Sequence, residues 1–176
     1  SSSALDAAWV AKWSAKALHV ARHLFKIDAF RENQMEVIAS VLEGRDVFVT
    51  MPTGGGKSLC YQLPGMLQPG LTLVVSPLIA LMKDQVHDLR TNDVPAAYLN
   101  STLAREEQRD VLARIERNEL KFLYASPERL AANDFAFLKW LAGQNVARVA
   151  IDEAHCISSW GHDFRAAYAK LNRLRE

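Results

Sequence analysis

The chain has 176 residues, 49% of them hydrophobic, enough to bury a globular core. Its 21 lysines and arginines nearly balance 20 aspartates and glutamates for a formal net charge of +1, which argues against a global basic field as the means of holding nucleic acid. The two cysteines, Cys60 and Cys156, sit far apart and outside any CxxC pair, and no apolar run reaches bilayer length, so a zinc cluster, a disulfide framework and a membrane span are not expected in what reads as a soluble, intracellular protein.

Ser1 to Ser3 read as a frayed start. From Asp6 to Phe25 the apolar residues Trp9, Val10, Trp13, Ala17, Val20, Ala21 and Leu24 recur at helical spacing, which predicts a helix with one buried face. His19 and His23 lie four apart on it, a spacing compatible with zinc, but no third ligand accompanies them. A second helix is expected over Arg31 to Glu43, with Met35, Ile38, Val41 and Leu42 inward and Gly44 closing it.

Short β-rich runs follow at Val47 to Met51, Leu71 to Ser76, Ala96 to Leu99, Phe122 to Ala125 and Val146 to Ile151. Helical patterns separate them at Lys57 to Gln68, Leu78 to Arg90, Ala104 to Arg117 and Asp134 to Ala142, with breaks at Pro69-Gly70, Asn92 to Pro95 and Gly143. Alternation of this kind implies α/β architecture, a largely parallel sheet flanked by helices on both faces.

Thr53-Gly54-Gly55-Gly56-Lys57-Ser58 sits between an expected strand and an expected helix, the setting of a phosphate-binding loop. Glycines let backbone amides turn toward one point, Lys57 would meet the β and γ phosphates, and the Ser58 hydroxyl would ligate magnesium. Met51 stands where the full motif has its first glycine, a departure that disfavours small-molecule kinases. At the end of the last strand, Asp152 would hold magnesium while Glu153 would polarise the water that attacks the γ-phosphate. Taken alone, the acidic pair would also suit a solvated turn. ATP and Mg2+ are therefore the expected cofactors.

Met51 to Ser58 and Asp152-Glu153-Ala154-His155 resemble motifs I and II of superfamily 2 helicases, and further segments make the resemblance specific to the RecQ family of DNA-unwinding enzymes. Phe30-Arg31-Glu32-Asn33-Gln34 resembles the family's motif 0, which implies that Arg31 and Gln34 contact adenine; an amide can both donate to and accept from its N6/N7 edge. Ile27 stands where the family has a base-stacking aromatic. Ser76 to Gln85 resembles motif Ia, and Ser126-Pro127-Glu128-Arg129 the next motif-bearing strand end, both implied to hold DNA phosphates. Cys156 to Arg165 resembles the family's aromatic-rich loop, in which Trp160, His162, Phe164 and Arg165 would join DNA occupancy to hydrolysis.

The resemblance implies a RecA-like P-loop domain over residues 1–176, with 1–25 an N-terminal helical extension. It further implies Mg-ATP-driven 3′ to 5′ movement on single-stranded and branched DNA, with Lys57, Asp152, Glu153 and His155 in the catalytic set. The chain carries no second RecA-like domain, so the piece is expected to have little or no activity alone, and the bacterial cytoplasm is the favoured setting. A nucleotide-binding module without turnover, or another P-loop NTPase such as a DEAD-box-like RNA helicase, is the alternative reading.

Overall fold

A computed structural model describes residues 2–31, 34–43 and 58–151. The expected strand at Val47 to Met51 lies outside those residues. Contacts divide the chain into two compact units, Ser1–Pro69 and Gly70–Glu176.

In the first unit, helix α1 spans Ser2–Leu24, α2 Gln34–Leu42 and α3 Leu59–Leu67. The helix begins at Ser2 rather than Asp6, because nothing between Ser3 and Asp6 breaks a helix and Ala4 and Leu5 favour one. Left-handed Lys26, at φ 56°, ends it by letting the Ile27 N–H fold back onto the Ala21 carbonyl at 3.1 Å. Ala17 and Ala21 are fully buried, small enough for α1 to lie close against Ile38, Ala39 and Leu42 of α2 and Leu59 and Leu63 of α3. Val10, Trp13 and Val20 pack at the edge of this core, as the periodicity required. Two polar ties fasten the end of α2: Glu43 accepts from Trp13 Nε1 at 2.9 Å and Lys12 Nζ at 3.2 Å, and Gln68 Nε2 donates to the Leu42 carbonyl at 2.8 Å.

The second unit is built on a parallel sheet of four described strands, β1 (Leu71–Val75), β2 (Ala96–Leu99), β3 (Phe122–Ala125) and β4 (Val146–Ile151), in the order β2-β3-β1-β4. Their connections are helices α4 (Ile79–Thr91), α5 (Arg105–Glu116) and α6 (Pro127–Ala142). From β1 the chain crosses toward β2 in one direction, and from β2 to β3 and from β3 to β4 it returns in the other. Right-handed crossovers therefore put α4 on one face and α5 with α6 on the opposite face. The side chains agree: Leu73, Val75, Leu99, Leu123 and Ala125 join Val111 and Ile115 of α5 and Leu138 and Leu141 of α6 in one cluster, whereas α4 sets Lys83 over the Tyr98 ring of the other face.

Every residue of β1 is buried, which is why it reads as an unbroken apolar run rather than an alternating one. Gly70 precedes it at φ 97°, where a Cβ would come within 2.5 Å of the Ala147 Cβ; only glycine admits β4 at that distance. Among the described strands β2 lies at an edge, short and closed by Arg90, whose Nε donates to the Ala96 carbonyl at 2.8 Å.

Helix α6 departs from expectation. It starts at Pro127, not Asp134, because Ser126 Oγ accepts from the Arg129 N–H at 3.2 Å and Pro127 occupies the first turn. It is then broken at Ala132–Phe135, where Asn133, Asp134 and Phe135 take left-handed φ values of 52°, 56° and 58°.

Candidate functional site

Much of the expected site falls outside the described residues: Thr53, Gly54, Gly55, Gly56 and Lys57 of the phosphate loop, Asp152, Glu153 and His155 of the acidic segment, and Trp160, His162, Phe164 and Arg165 of the aromatic loop. What is described are the elements on either side of them. Strand β4 carries the chain to Ile151, the residue before Asp152, and pairs in parallel with β1 through Ile151↔Val75. The same register aligns Val75 with Ala125 and Leu99 with Ala125, so Ser76, Asn100 and Ser126 each follow a strand end at one carboxyl edge of the sheet. Helices α4 and α6 begin just past that edge, and open parallel sheets bind ligands there.

Ser76 and Ser126 are buried and spend their hydroxyls locally, on the Leu78 and Arg129 N–H groups at 3.4 and 3.2 Å. Asn100, a buried amide that sequence reasoning passed over, accepts from the Thr102 N–H at 2.8 Å and donates to Met82 Sδ at 3.5 Å. Its position after a short strand was the available signal. Leu78 is the large hydrophobic side chain left exposed among the described residues, at 48%, and it stands at this same edge.

In the first unit Ser58 heads α3 in right-handed helical conformation, and its carbonyl accepts from the Gln62 N–H at 2.9 Å. Its hydroxyl makes no capping bond to the helix. Behind it, Cys60 is buried, and burial pushes its thiol up to about 11, so it remains protonated and acts as packing.

Arg31 is exposed, whereas Gln34 is only 2% exposed at the start of α2, and its Oε1 accepts from the Arg31 N–H at 2.6 Å. That bond fixes which way the amide oxygen points. His19 and His23 are exposed with ring centroids 4.7 Å apart, and no third metal-binding group joins them among the described residues.

Residues 31–176 match the family model described as DEAD/DEAH box helicase. The chain is 48% identical over 159 residues to the ATP-dependent DNA helicase RecQ of Haemophilus influenzae and 50% identical over 159 residues to that of Pasteurella multocida. Both alignments cover 90% of this chain, which spans about a quarter of each relative's length, 25% in both cases. Among solved structures, that of Mycobacterium smegmatis helicase Lhr bound to ssDNA and AMP-PNP superposes with a TM-score of 0.67 at 22% identity, covering 95% of this chain and 23% of that one. At that identity the likeness speaks for the fold.

Proposed function

We propose, for a chain that belongs to the DEAD/DEAH box helicase family and resembles RecQ helicases over nearly its whole length, that it is the nucleotide-binding half of an ATP-dependent DNA helicase motor. In this reading the longer parent couples Mg-ATP hydrolysis to 3′ to 5′ movement on single-stranded DNA in a bacterial cytoplasm, and a second RecA-like domain in cis completes the active centre. The observation that carries it is the end of β4: an apolar strand, registered to β1 through Ile151, ends at the carboxyl edge where α4 and α6 begin, and Asp152-Glu153 follow it in sequence.

Each group then has a distinct task. Lys57 and the loop amides hold the phosphates, Ser58 and Asp152 hold magnesium, and Arg31 with Gln34 reads adenine. Magnesium, when bound, offsets the negative charge that builds up on the phosphates. Glu153 accepts the proton of the attacking water, with His155 beside it in sequence. The segments after Ser76 and Ser126 position the DNA backbone without reading its sequence, and Trp160, His162, Phe164 and Arg165 report base occupancy to the hydrolytic centre.

Gln34→Ala is expected to erode the preference for ATP over GTP by roughly tenfold, the size of one lost base-edge contact. It should also cost about 1 kcal/mol of stability, because the Arg31 N–H loses its acceptor. Turnover of both nucleotides and a melting curve on the same variant check this; an unchanged ATP:GTP ratio would remove Gln34 from the adenine site.

The test of the whole reading is the ATPase rate of the longer parent with and without single-stranded DNA. DNA should accelerate it and RNA should not. Trp160→Ala and Phe164→Ala should abolish most of that acceleration while leaving ATP affinity near the wild-type value, since stacking on one base contributes roughly 1 to 3 kcal/mol. A stable variant that keeps full DNA stimulation would defeat the coupling role. Loss of every activity together with about 3 to 5 kcal/mol of stability would make these aromatics core residues instead.

A further inference from the structure

The exposed face of α1 carries a stripe of cations that neither the core nor the nucleotide reading uses. At about 3.6 residues per turn, Lys12, Lys16, His19, Arg22 and His23 fall within about a third of the helix circumference, opposite the side on which Ala17 and Ala21 enter the core. All of them are exposed, and Lys26 continues the line just past the helix end. No aspartate or glutamate occurs from Ala7 to Leu24. The whole chain has a formal net charge of only +1, so the stripe is charge sorted onto one face rather than a reflection of composition.

Most of these side chains keep their charge for a partner. Glu43 offsets Lys12 at 3.2 Å, but among the described residues Lys16, Arg22 and Lys26 form no ion pair. Arg22 Nη2 and Lys26 Nζ donate to the Asp28 and His23 carbonyls at 3.3 and 3.1 Å, neutral acceptors that leave their other donors unused. His19 and His23, with ring centroids 4.7 Å apart, add further N–H donors. Cations in a last helical turn also favour the helix dipole, which accounts for Arg22 and His23 but not for Lys12 and Lys16, well before that turn.

The pattern selects the partner. From Lys12 to His23 the stripe runs ~16 Å along the axis, which matches about five phosphates of one nucleic-acid strand. A protein partner needs apolar anchors, and the large hydrophobic side chain left exposed among the described residues, Leu78, is not on α1. Single strands are held by bases stacked on aromatic rings, whereas Trp13, beside the stripe, is half-buried with Lys12 and Lys16 5.1 and 6.0 Å from its ring. A duplex shows its charge on the outside and asks only for cations.

We infer that the exposed face of α1, from Lys12 to Lys26, is a docking surface for the phosphate backbone of double-stranded DNA, engaged without regard to base sequence. The charge pattern selects a duplex backbone; the choice of DNA over RNA rests on the proposed helicase reading.

Fluorescence anisotropy of the full chain with a labelled DNA duplex, repeated over a range of salt, tests it. The wild type should bind, with log K falling linearly against log salt. The double variant Lys16→Gln, Arg22→Gln should weaken binding at ~0.1 M salt by at least about tenfold and make the slope shallower by about 1.8, roughly 0.9 for each lost phosphate contact. Lys26→Gln lies beyond the helix, so its expected slope change of about 0.9 does not depend on α1 tolerating substitution. Arg117→Gln, which removes an exposed cation already paired with Glu119, should change neither quantity. Circular dichroism melts confirm folding. Polyglutamate, with about half the charge density of a duplex, should bind the wild type far more weakly. Absence of duplex binding by the folded wild type, an unchanged slope in the folded variants, or equal affinity for polyglutamate would each overturn the inference, and tighter binding of an RNA duplex would overturn the choice of DNA. Hydrolysis by the longer parent under single-stranded DNA should be unchanged in the double variant; failure of the helicase reading itself would appear instead as absent stimulation in the wild type.

Discussion

Lys57→Ala in the longer parent is expected to eliminate ATP turnover, with a loss on the order of 10²- to 10³-fold or greater, the scale set by removing one donor aimed at developing charge. In the proposed reading the lysine is a point cation in a glycine-rich segment that would meet the β and γ phosphates, and alanine would leave their charge without a counterpart. ATP affinity should fall with it, because the ground-state triphosphate already carries the charge that the ammonium offsets. The fold should be unaffected: the helix that follows, α3, is held by Leu59 and Leu63 in the core with α1 and α2. Equilibrium binding of a fluorescent ATP analogue, steady-state hydrolysis and a melting curve measured together separate these effects. A variant with wild-type turnover would show that Thr53 to Ser58 is an ordinary turn.

Glu153→Gln should divide binding from chemistry. The amide keeps the shape of the carboxylate and cannot accept a proton from water, so turnover should fall by about 10² to 10⁴, the usual contribution of a general base, while ATP and magnesium affinity stay close to wild type. Asp152→Asn is the contrast, since losing a magnesium ligand should weaken metal-dependent nucleotide binding as well. Single-turnover hydrolysis beside binding titrations reads the difference. If Glu153→Gln loses affinity in proportion to rate, Glu153 is a binding residue and the base lies elsewhere.

The expected strands Ala96 to Leu99, Phe122 to Ala125 and Val146 to Ile151 coincide with the observed ones, and the expected run at Leu71 to Ser76 differs from β1 only in its last residue. Local signals sufficed there: a short apolar run bounded by Pro69-Gly70, Pro95 or Gly143 has one conformation that both buries its side chains and pairs its backbone. The α6 start was legible in Ser126-Pro127, a cap followed by a proline that tolerates the first turn, although the periodic pattern beyond Asp134 drew the boundary too late. Of the site, the motifs and their order along the chain were readable. Ser58, Arg31 and Gln34 then appear at helix boundaries, where such side chains can face a ligand.

The sequence by itself determined the α/β alternation, the bounds of the four described strands to within a residue and the residue types that the nucleotide reading uses, because hydrophobic period, glycine and proline act over a few neighbouring residues. The tertiary structure alone decided the strand order β2-β3-β1-β4, which depends on pairings between segments separated by tens of residues. It also decided the burial of Gln34, whose polar side chain on a short amphipathic helix suggests exposure until a core forms beside it and the Arg31 N–H satisfies it. Gly70 looks like a simple break in the sequence, but the close approach of Ala147 makes glycine obligatory. Arg129 comes to rest on Phe137 for the same reason: the turn that joins them is unfavourable locally, and only packing of the whole element can hold it.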